Sequence, residues 1–258
     1  MLLAINIENS DITTGFIEHG RIMHSFCLGA DHSRTADEYA LLFKAAAELG
    51  GYPFDTVGTV IIGSVMPSIT SLIVGALKKI SDAPVTIVGP GVRTGFSIKL
   101  DNPTELGADL AANAAGAIAH SGCPVIIADF GTATTVMVID GDKNYVGGCI
   151  FPGVQMSFGA LQTAELLPGV EAGDAVPFLG KNTRDCMRAG VIRGQTAAVE
   201  AFVQEYRQML SRNEQIPLVI TGRHAETLRP YLSLANTHIP HLTLLGLAAI
   251  DELNRRKR

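Results

Sequence analysis

This sequence has four cysteines and no Cys-x-x-Cys pair among them. Cys27, Cys123, Cys149 and Cys186 are widely spaced, so neither a zinc site nor a thioredoxin-type motif is suggested. His238 and His241 flank Pro240 without an acidic or cysteine ligand beside them, so they read as loop residues. Positive charge is in deficit. Lys and Arg total 20 against 25 Asp and Glu, and the net charge of -5 argues against a nucleic-acid binder. The basic run Arg255-Arg256-Lys257-Arg258 is terminal and reads as a solvated tail. No apolar run reaches the length of about 18 residues that a membrane span needs. The first apolar stretch has no basic region before it, so no secretory leader is expected. The expected setting is soluble and cytoplasmic, with no membrane partner.

What is present is apolar material in regular blocks. Hydrophobic residues make up 47% of the 258 residues and charged residues 17%, a composition suited to a sizeable core and unsuited to disorder. Residues 2–7, 12–17 and 21–27 read as a strand meander turning at His19-Gly20. Thr35-Ala-Asp-Glu38 is a capping box. The helix behind it places Tyr39, Leu42, Phe43, Ala46 and Leu49 on one face and stops at Gly50-Gly51. Strands follow at 59–65 and 85–88, with a helix opened by Pro67 between them and another over 104–120. The pattern then restarts. Residues 125–129 form a strand, and 134–139 and 144–150 form a hairpin around Asp140-Gly141. Helices are expected at 154–166, 183–211, 223–234 and 242–256, with a strand at 217–221. This repetition implies an α/β protein of two duplicated domains, 1–120 and 121–258, with a ligand cleft between them.

The two halves carry unequal copies of one loop. Val125-Ile-Ile-Ala-Asp129-Phe-Gly131-Thr-Ala-Thr-Thr135 is a strand, a small polar turn and a second strand. Leu2-Leu-Ala-Ile-Asn6-Ile-Glu8-Asn9-Ser10 has the same layout with Asn-x-Glu where the second copy has Asp-x-Gly. A hairpin turn exposes backbone N–H groups, glycine admits a phosphate to them, and hydroxyl side chains add donors. An acid at the strand end holds a cation beside that phosphate. Asp129, Gly131, Thr132, Thr134 and Thr135 meet these needs, and they equally suit a hydroxyl-rich turn with no ligand. Asp109, at a helix start, suits a site role or a favourable place near the helix dipole. Asn182-Thr183 suits substrate contact or a plain N-cap.

The run Asp129-Phe-Gly-Thr-Ala-Thr-Thr135 resembles the second phosphate loop of type III pantothenate kinases. Further blocks match in order: Arg34-Thr-Ala-Asp-Glu38, Asp101-Asn-Pro103, Gly107-Ala-Asp109, Gly147-Gly148 with Pro152-Gly153, Gly180-Lys-Asn-Thr183 and Leu242-Thr-Leu-Leu-Gly246. The resemblance covers nearly the whole chain. It implies two ribonuclease-H-like domains of the actin-like ATPase fold, usually in a homodimer. It implies transfer of the ATP γ-phosphate to pantothenate, the first step toward coenzyme A, with Mg²⁺ and a monovalent cation (K⁺ or NH4⁺). By the same resemblance Asp109 is the general base and Asp129 holds the monovalent cation. Asn6, Asn9, Ser10, Gly131, Thr132, Thr134 and Gly222 face the nucleotide. Leu100, Gly107, Ala108 and Thr183 face pantothenate or a related small molecule, Thr183 from the partner subunit.

Five departures fall in these blocks. The first loop's Asp-x-Gly becomes Asn6-x-Glu8, which removes a metal-side charge and adds a carboxylate where phosphate approaches. An arginine after the base becomes Leu110, a tyrosine becomes Leu100, and Thr-Gly-Gly becomes Thr221-Gly222-Arg223. They lead to the expectation of a transferase homologue with weak or lost kinase activity. The alternatives are an inactive regulatory or ligand-sensing paralogue, and a small-molecule kinase of changed acceptor, since the lost arginine removes a natural partner for a carboxylate.

Overall fold

The computed structural model describes residues 1–173, 175–210 and 216–255. Two compact units are present: Met1–His120 together with the helix that begins at Leu242, and Ser121–His241.

In the first unit, β1 (Leu2–Ile7), β2 (Asp11–Glu18) and β3 (Arg21–Gly29) form an antiparallel meander. Then come α1 (Ala36–Leu49), β4 (Thr59–Ser64), α2 (Pro67–Ile80), β5 (Val85–Ile87), the short β6 (Ser97–Ile98) and α3 (Ala108–Ser121). The sheet order is β3-β2-β1-β4-β5, with β4 and β5 parallel to β1. β1 is central and all six of its residues are buried, which is why it reads as a nearly unbroken apolar run. Its alternate side chains feed two layers. Leu3, Ile5 and Ile7 pack with Tyr39 and Phe43 of α1 and Ile69, Ile73 and Leu77 of α2. Leu2 and Ala4 pack with Ala112 and Ala115 of α3 and with Leu244, Leu247 and Ile250 of α8 (Leu242–Arg255).

The capping box forms as its sequence implies: the Glu38 N–H donates to Thr35 Oγ1, and the Thr35 N–H donates to the Glu38 carboxylate. The buried stripe of α1 is Tyr39, Ala40, Phe43 and Ala47, and Leu49 is 90% exposed rather than inward. At about 100° per residue, Leu49 falls on the side opposite that stripe. The helix expected from 104 begins at Ala108, because Asn102 caps a separate 3₁₀ turn over Pro103–Glu105.

The second unit repeats the plan. β7 (Val125–Phe130), β8 (Ala133–Ile139) and β9 (Asn144–Pro152) are antiparallel. β10 (Leu218–Thr221) runs parallel to β7, and β11 (Thr237–His238) parallel to β10, giving the order β11-β10-β7-β8-β9. The helices are α4 (Val154–Gln162), α5 (Thr183–Arg188), α6 (Gly194–Leu210) and α7 (Ala225–Leu228). The single helix expected over 183–211 is thus two helices joined through a π-turn, Ala189–Arg193, and residue 211 lies outside the described residues. The π-turn directs Arg193 onto the preceding loop. Its guanidinium donates to the Val176 carbonyl at 2.9 and 3.2 Å and lies between the rings of Phe178 and Tyr231. The helix expected over 223–234 shortens to α7 and a 3₁₀ turn, Arg229–Tyr231, because Pro230 has no N–H for the ladder. The helix expected over 154–166 ends at Gln162.

α8 follows the second unit in sequence and packs on the first. A division at 120/121 assigns 242–258 to the second half. The apolar face of α8 instead covers Leu2, Ala4 and Ile61. The residues at its contact with α3 are small. A Cβ on Gly246 would fall 1.7 Å from the Ala112 carbonyl oxygen, and one on Gly116 would fall 2.8 Å from the Leu242 carbonyl oxygen. Two helix backbones touch there, and no side chain fits between them. Gly246→Ala is therefore expected to destabilise the protein by at least about 1–3 kcal/mol, the range of overpacking. Gly194→Ala, whose Cβ meets nothing within 4 Å, is expected to stabilise α6 by about 0.5–1 kcal/mol. Urea midpoints of the two variants check both signs.

Candidate functional site

The duplicated sheets bring the two loops into register. Asn6 is the fifth residue of β1, and Asp129 is the fifth residue of β7. Asn6 pairs with Thr13 across the ladder and Asp129 with Thr135; their parallel neighbours are Gly63 and Thr221. The same fold position therefore carries an amide in one unit and a carboxylate in the other.

The second unit's turn, between Phe130 and Ala133, is gripped on two sides by backbone. Gly222, at φ +95°, follows β10, and a Cβ there would fall 2.4 Å from Asp129 Oδ1 and 2.5–2.6 Å from the Phe130 main chain. The His224 N–H donates to the Phe130 carbonyl at 3.0 Å. Gly153, the N-cap of α4, would place a Cβ 2.3 Å from the Thr132 carbonyl oxygen. Gly131 is the open position, with a Cβ site 3.4 Å from Asp129 Oδ1 and from the Ala133 carbonyl oxygen. Glycine at 131 adds no carbon on that side of the backbone, which faces these two oxygens.

The two threonines of this turn differ. Thr132 is half-buried, and Arg223 Nη2 donates to its hydroxyl at 3.4 Å. Thr134 is fully buried and donates its hydroxyl proton to Gln195 Oε1 at 2.9 Å. Gln195 in turn donates to the Pro152 carbonyl at 3.1 Å. Thr134 thus ties β8 to α6 and holds the turn, although its type and place read as a phosphate donor. Gln195 and Gly153 carried no distinguishing signal in the sequence beyond the Pro152-Gly153 block. His224 is held below the usual histidine range by burial and by the neighbouring Arg223 charge.

The first unit's turn is different chemistry on the same frame. The Glu8 N–H donates to the Asp11 carbonyl at 2.8 Å, leaving Asn9 and Ser10 at the exposed tip. Asn6 is 2% exposed, and its Nδ2 donates to Glu8 Oε1 at 2.8 Å. The two residues that depart from the phosphate-loop pattern are bonded to each other. Asn6 Oδ1 is buried with no hydrogen-bond partner among the described residues. A buried acceptor left unpaired costs about 1–3 kcal/mol, so it marks a place for a donor or a cation.

Asp109 lies in the first turn of α3, half-buried, and accepts the Leu110 N–H at 2.8 Å. Burial pushes its carboxyl above the ordinary aspartate value of 3.8, against two backbone hydrogen bonds that lower it. Gly107 makes room for it, since a Cβ there would fall 2.4 Å from Asp109 Oδ1. Ala108 opens the helix beside it, and Leu100 lies earlier in the same unit, half-buried in a bend. Thr183 is exposed at the first position of α5, capped by Asn182, whose side chain accepts the Asp185 N–H at 2.9 Å. Among the described residues no group of three or more His, Cys, Asp and Glu side chains is placed to hold a metal.

Two ribonuclease-H-like units, each with a hairpin turn at the end of its central strand, define the actin-like ATPase class of folds. Within that class, the family model described as type III pantothenate kinase matches residues 2–205. The type III pantothenate kinase of Bacillus cytotoxicus is 36% identical over 256 residues, 98% of this chain and 97% of that protein. That of Brevibacillus brevis is 38% identical over 256 residues, 99% and 100% of the two chains. The chain belongs to the type III pantothenate kinase family. A solved Baf family protein from Campylobacter jejuni shares the fold, with TM-score 0.65 and 16% identity over 98% of this chain and 99% of that one.

The raised Asp109 carboxyl carries a sign for stability. The folded state holds this proton more tightly than the unfolded state, so folding loses stability as pH rises from 3.8 through the raised value and stays at the lower level above it. Asp109→Asn removes that loss. Urea unfolding is expected to show the variant more stable than wild type at pH 7, with the difference shrinking toward pH 4.

Proposed function

We propose that this protein is an ATP-dependent kinase of a small hydroxyl-bearing acid, pantothenate in the first instance, whose turnover is held low by its first phosphate loop. The observation that carries this reading is the hydrogen bond from Asn6 Nδ2 to Glu8 Oε1 at 2.8 Å. It couples the two departures into one altered turn. In this reading Gly131 and Thr132 receive ATP phosphates, Asn9 and Ser10 line the first turn, and Gly222 lies by the nucleotide. Asp109 takes the proton of the acceptor hydroxyl as it attacks the γ-phosphorus, and burial, by raising its pKa above the ordinary aspartate value, makes it a stronger base than an exposed aspartate.

Mg²⁺, when bound, supplies charge neutralisation for the polyphosphate. Asn6 Oδ1 and the Glu8 carboxylate are the first-turn oxygens that would hold it, and the unpaired state of Oδ1 fits such a ligand. Asp129 is the group for a monovalent cation, K⁺ or NH4⁺, and the glycines at 131 and 222 place no side chain against its carboxylate. The weakness lies in charge. Asn6 offers a neutral oxygen where the family pattern has a carboxylate, and Glu8 sets a negative charge where phosphate oxygens approach. Two like charges about 4 Å apart repel by about 4 kcal/mol at an effective dielectric near 20.

The reading extends to a cytoplasmic homodimer in which Thr183 contacts the acceptor from the partner subunit. Phe178 and Leu179, just before Thr183, are 83% and 75% exposed, which supports a surface covered by another chain. A kinase of changed acceptor is favoured by Leu110, an apolar side chain directly after the proposed base, and assays should include acceptors without a carboxylate.

The test is a phosphorylation assay with ATP·Mg²⁺, potassium and pantothenate. Wild type is expected to turn over slowly, and Asn6→Asp with Glu8→Gly to gain about tenfold or more, the equivalent of about 1.4 kcal/mol in the barrier. Asn6→Asp alone is expected to lose about 1–3 kcal/mol of stability and gain no activity, because the charge-assisted bond is replaced by repulsion. Fast wild-type turnover, or a double variant no faster than wild type, contradicts the reading.

A further inference from the structure

Arg223 stands in the sequence where the family pattern has the second glycine of a nucleotide-side block. Its position in the second unit is more specific than that. Gly222 is wedged against Asp129 and the Phe130 main chain, and the His224 N–H is bonded to the Phe130 carbonyl. The backbone on both sides of Arg223 is therefore stitched to the end of β7. The side chain is carried across the turn, where Nη2 donates to Thr132 Oγ1 at 3.4 Å. The residue is exposed, and its charge contributes to holding the His224 pKa down. A guanidinium, the half-buried Thr132 hydroxyl and the side-chain-free backbone of Gly131 thus lie at one turn.

We propose that Arg223 is a phosphate-binding residue of the second unit, one that lets this turn take a polyphosphate with less reliance on a divalent cation. The chemistry is that of a planar fork of donors with a permanent charge, which pairs with phosphate oxygens more strongly than neutral donors do. Arg223 also reorients the Thr132 hydroxyl. By donating to that oxygen it leaves the hydroxyl proton directed elsewhere, available for an anion. The charge lies on the unit whose carboxylate, Asp129, is retained. It offsets locally the repulsion between that carboxylate and an incoming phosphate. The ligand class is an inorganic or nucleoside polyphosphate. The inference rests on the kinase reading only in identifying this turn as a phosphate loop, and it requires neither turnover nor an acceptor.

The test is calorimetric titration of the full chain with inorganic tripolyphosphate, with EDTA present and no divalent cation, repeated with ATP under the same conditions. The expected result is binding by wild type, an affinity about tenfold or more lower in Arg223→Gln, and an intermediate value in Arg223→Lys. The dependence of log affinity on log salt is expected to be shallower in Arg223→Gln, since a released counterion is lost with the charge. Binding of tripolyphosphate as well as ATP assigns the contact to the phosphates; binding of ATP alone places the recognition on the nucleoside and overturns the proposal. No binding by folded wild type, or equal affinities in wild type and Arg223→Gln, also overturns it. A melting-temperature shift in Arg223→Gln with unchanged affinity would show a brace for Thr132 and nothing more. Loss of kinase turnover in the assay above leaves these outcomes unaffected, so the two readings fail separately.

Discussion

The second unit's turn is held still by glycine, and the proposed phosphate role depends on that grip. Gly153 and Gly222 let neighbouring chain segments press against the Thr132 carbonyl and the Asp129–Phe130 strand end at distances no Cβ permits. Gly131 adds no side chain on its own side of the turn. Thr134 and Gln195 then fasten the turn to α6 through a buried hydrogen bond. The geometry of Asp129, Thr132 and Arg223 depends on that grip. A turn fixed in advance spends no binding energy on ordering itself, which is the general condition for phosphoryl-transfer sites that work by positioning and electrostatics.

The first unit keeps the frame and changes the chemistry. Asn6 and Asp129 hold the same place in their central strands, each opposite a threonine, but the first unit's turn is one residue longer: Ile7 pairs with Ile12, whereas Phe130 pairs with Thr134. That longer turn is closed by the Glu8 N–H to the Asp11 carbonyl, and Glu8 lies outside the left-handed backbone region, so it needs no glycine there. The Asn6–Glu8 bond explains why the two departures belong together. An aspartate at position 6 would face the Glu8 carboxylate across a hydrogen-bond distance, and an amide there makes a charge-assisted bond instead. Restoring aspartate at position 6 alone would set two carboxylates against each other.

Much of this was legible in the sequence, and the failures have physical causes. The two sheets were readable because central strands buried on both faces produce runs such as Leu2–Ile7 and Val125–Phe130, and because the Thr35–Glu38 box is a local device. The turns between the first two strands of each unit were readable because small polar residues and glycine interrupt the apolar runs there. The packing of α8 on the first unit was not readable, since an amphipathic helix does not encode which sheet it covers. The π-turn at Ala189–Arg193 was hidden because its residues keep helical periodicity nearby. Thr134 read as a donor by type and place, and only its partner Gln195, 61 residues away, reveals its role as a tie. The reach of Arg223 to Thr132 spans 91 residues and was likewise invisible.

The proposed function needs the second unit's turn to hold an anion beside the altered turn of the first unit. The most direct measurement is a calorimetric titration of the folded protein with ATP in the presence of potassium, run with and without Mg²⁺. The account predicts clear ATP binding whose affinity improves only slightly, by less than about tenfold, when Mg²⁺ is added, because the neutral Asn6 gives the metal a weak hold. Absence of ATP binding, or an affinity that depends on Mg²⁺ by orders of magnitude, would contradict it.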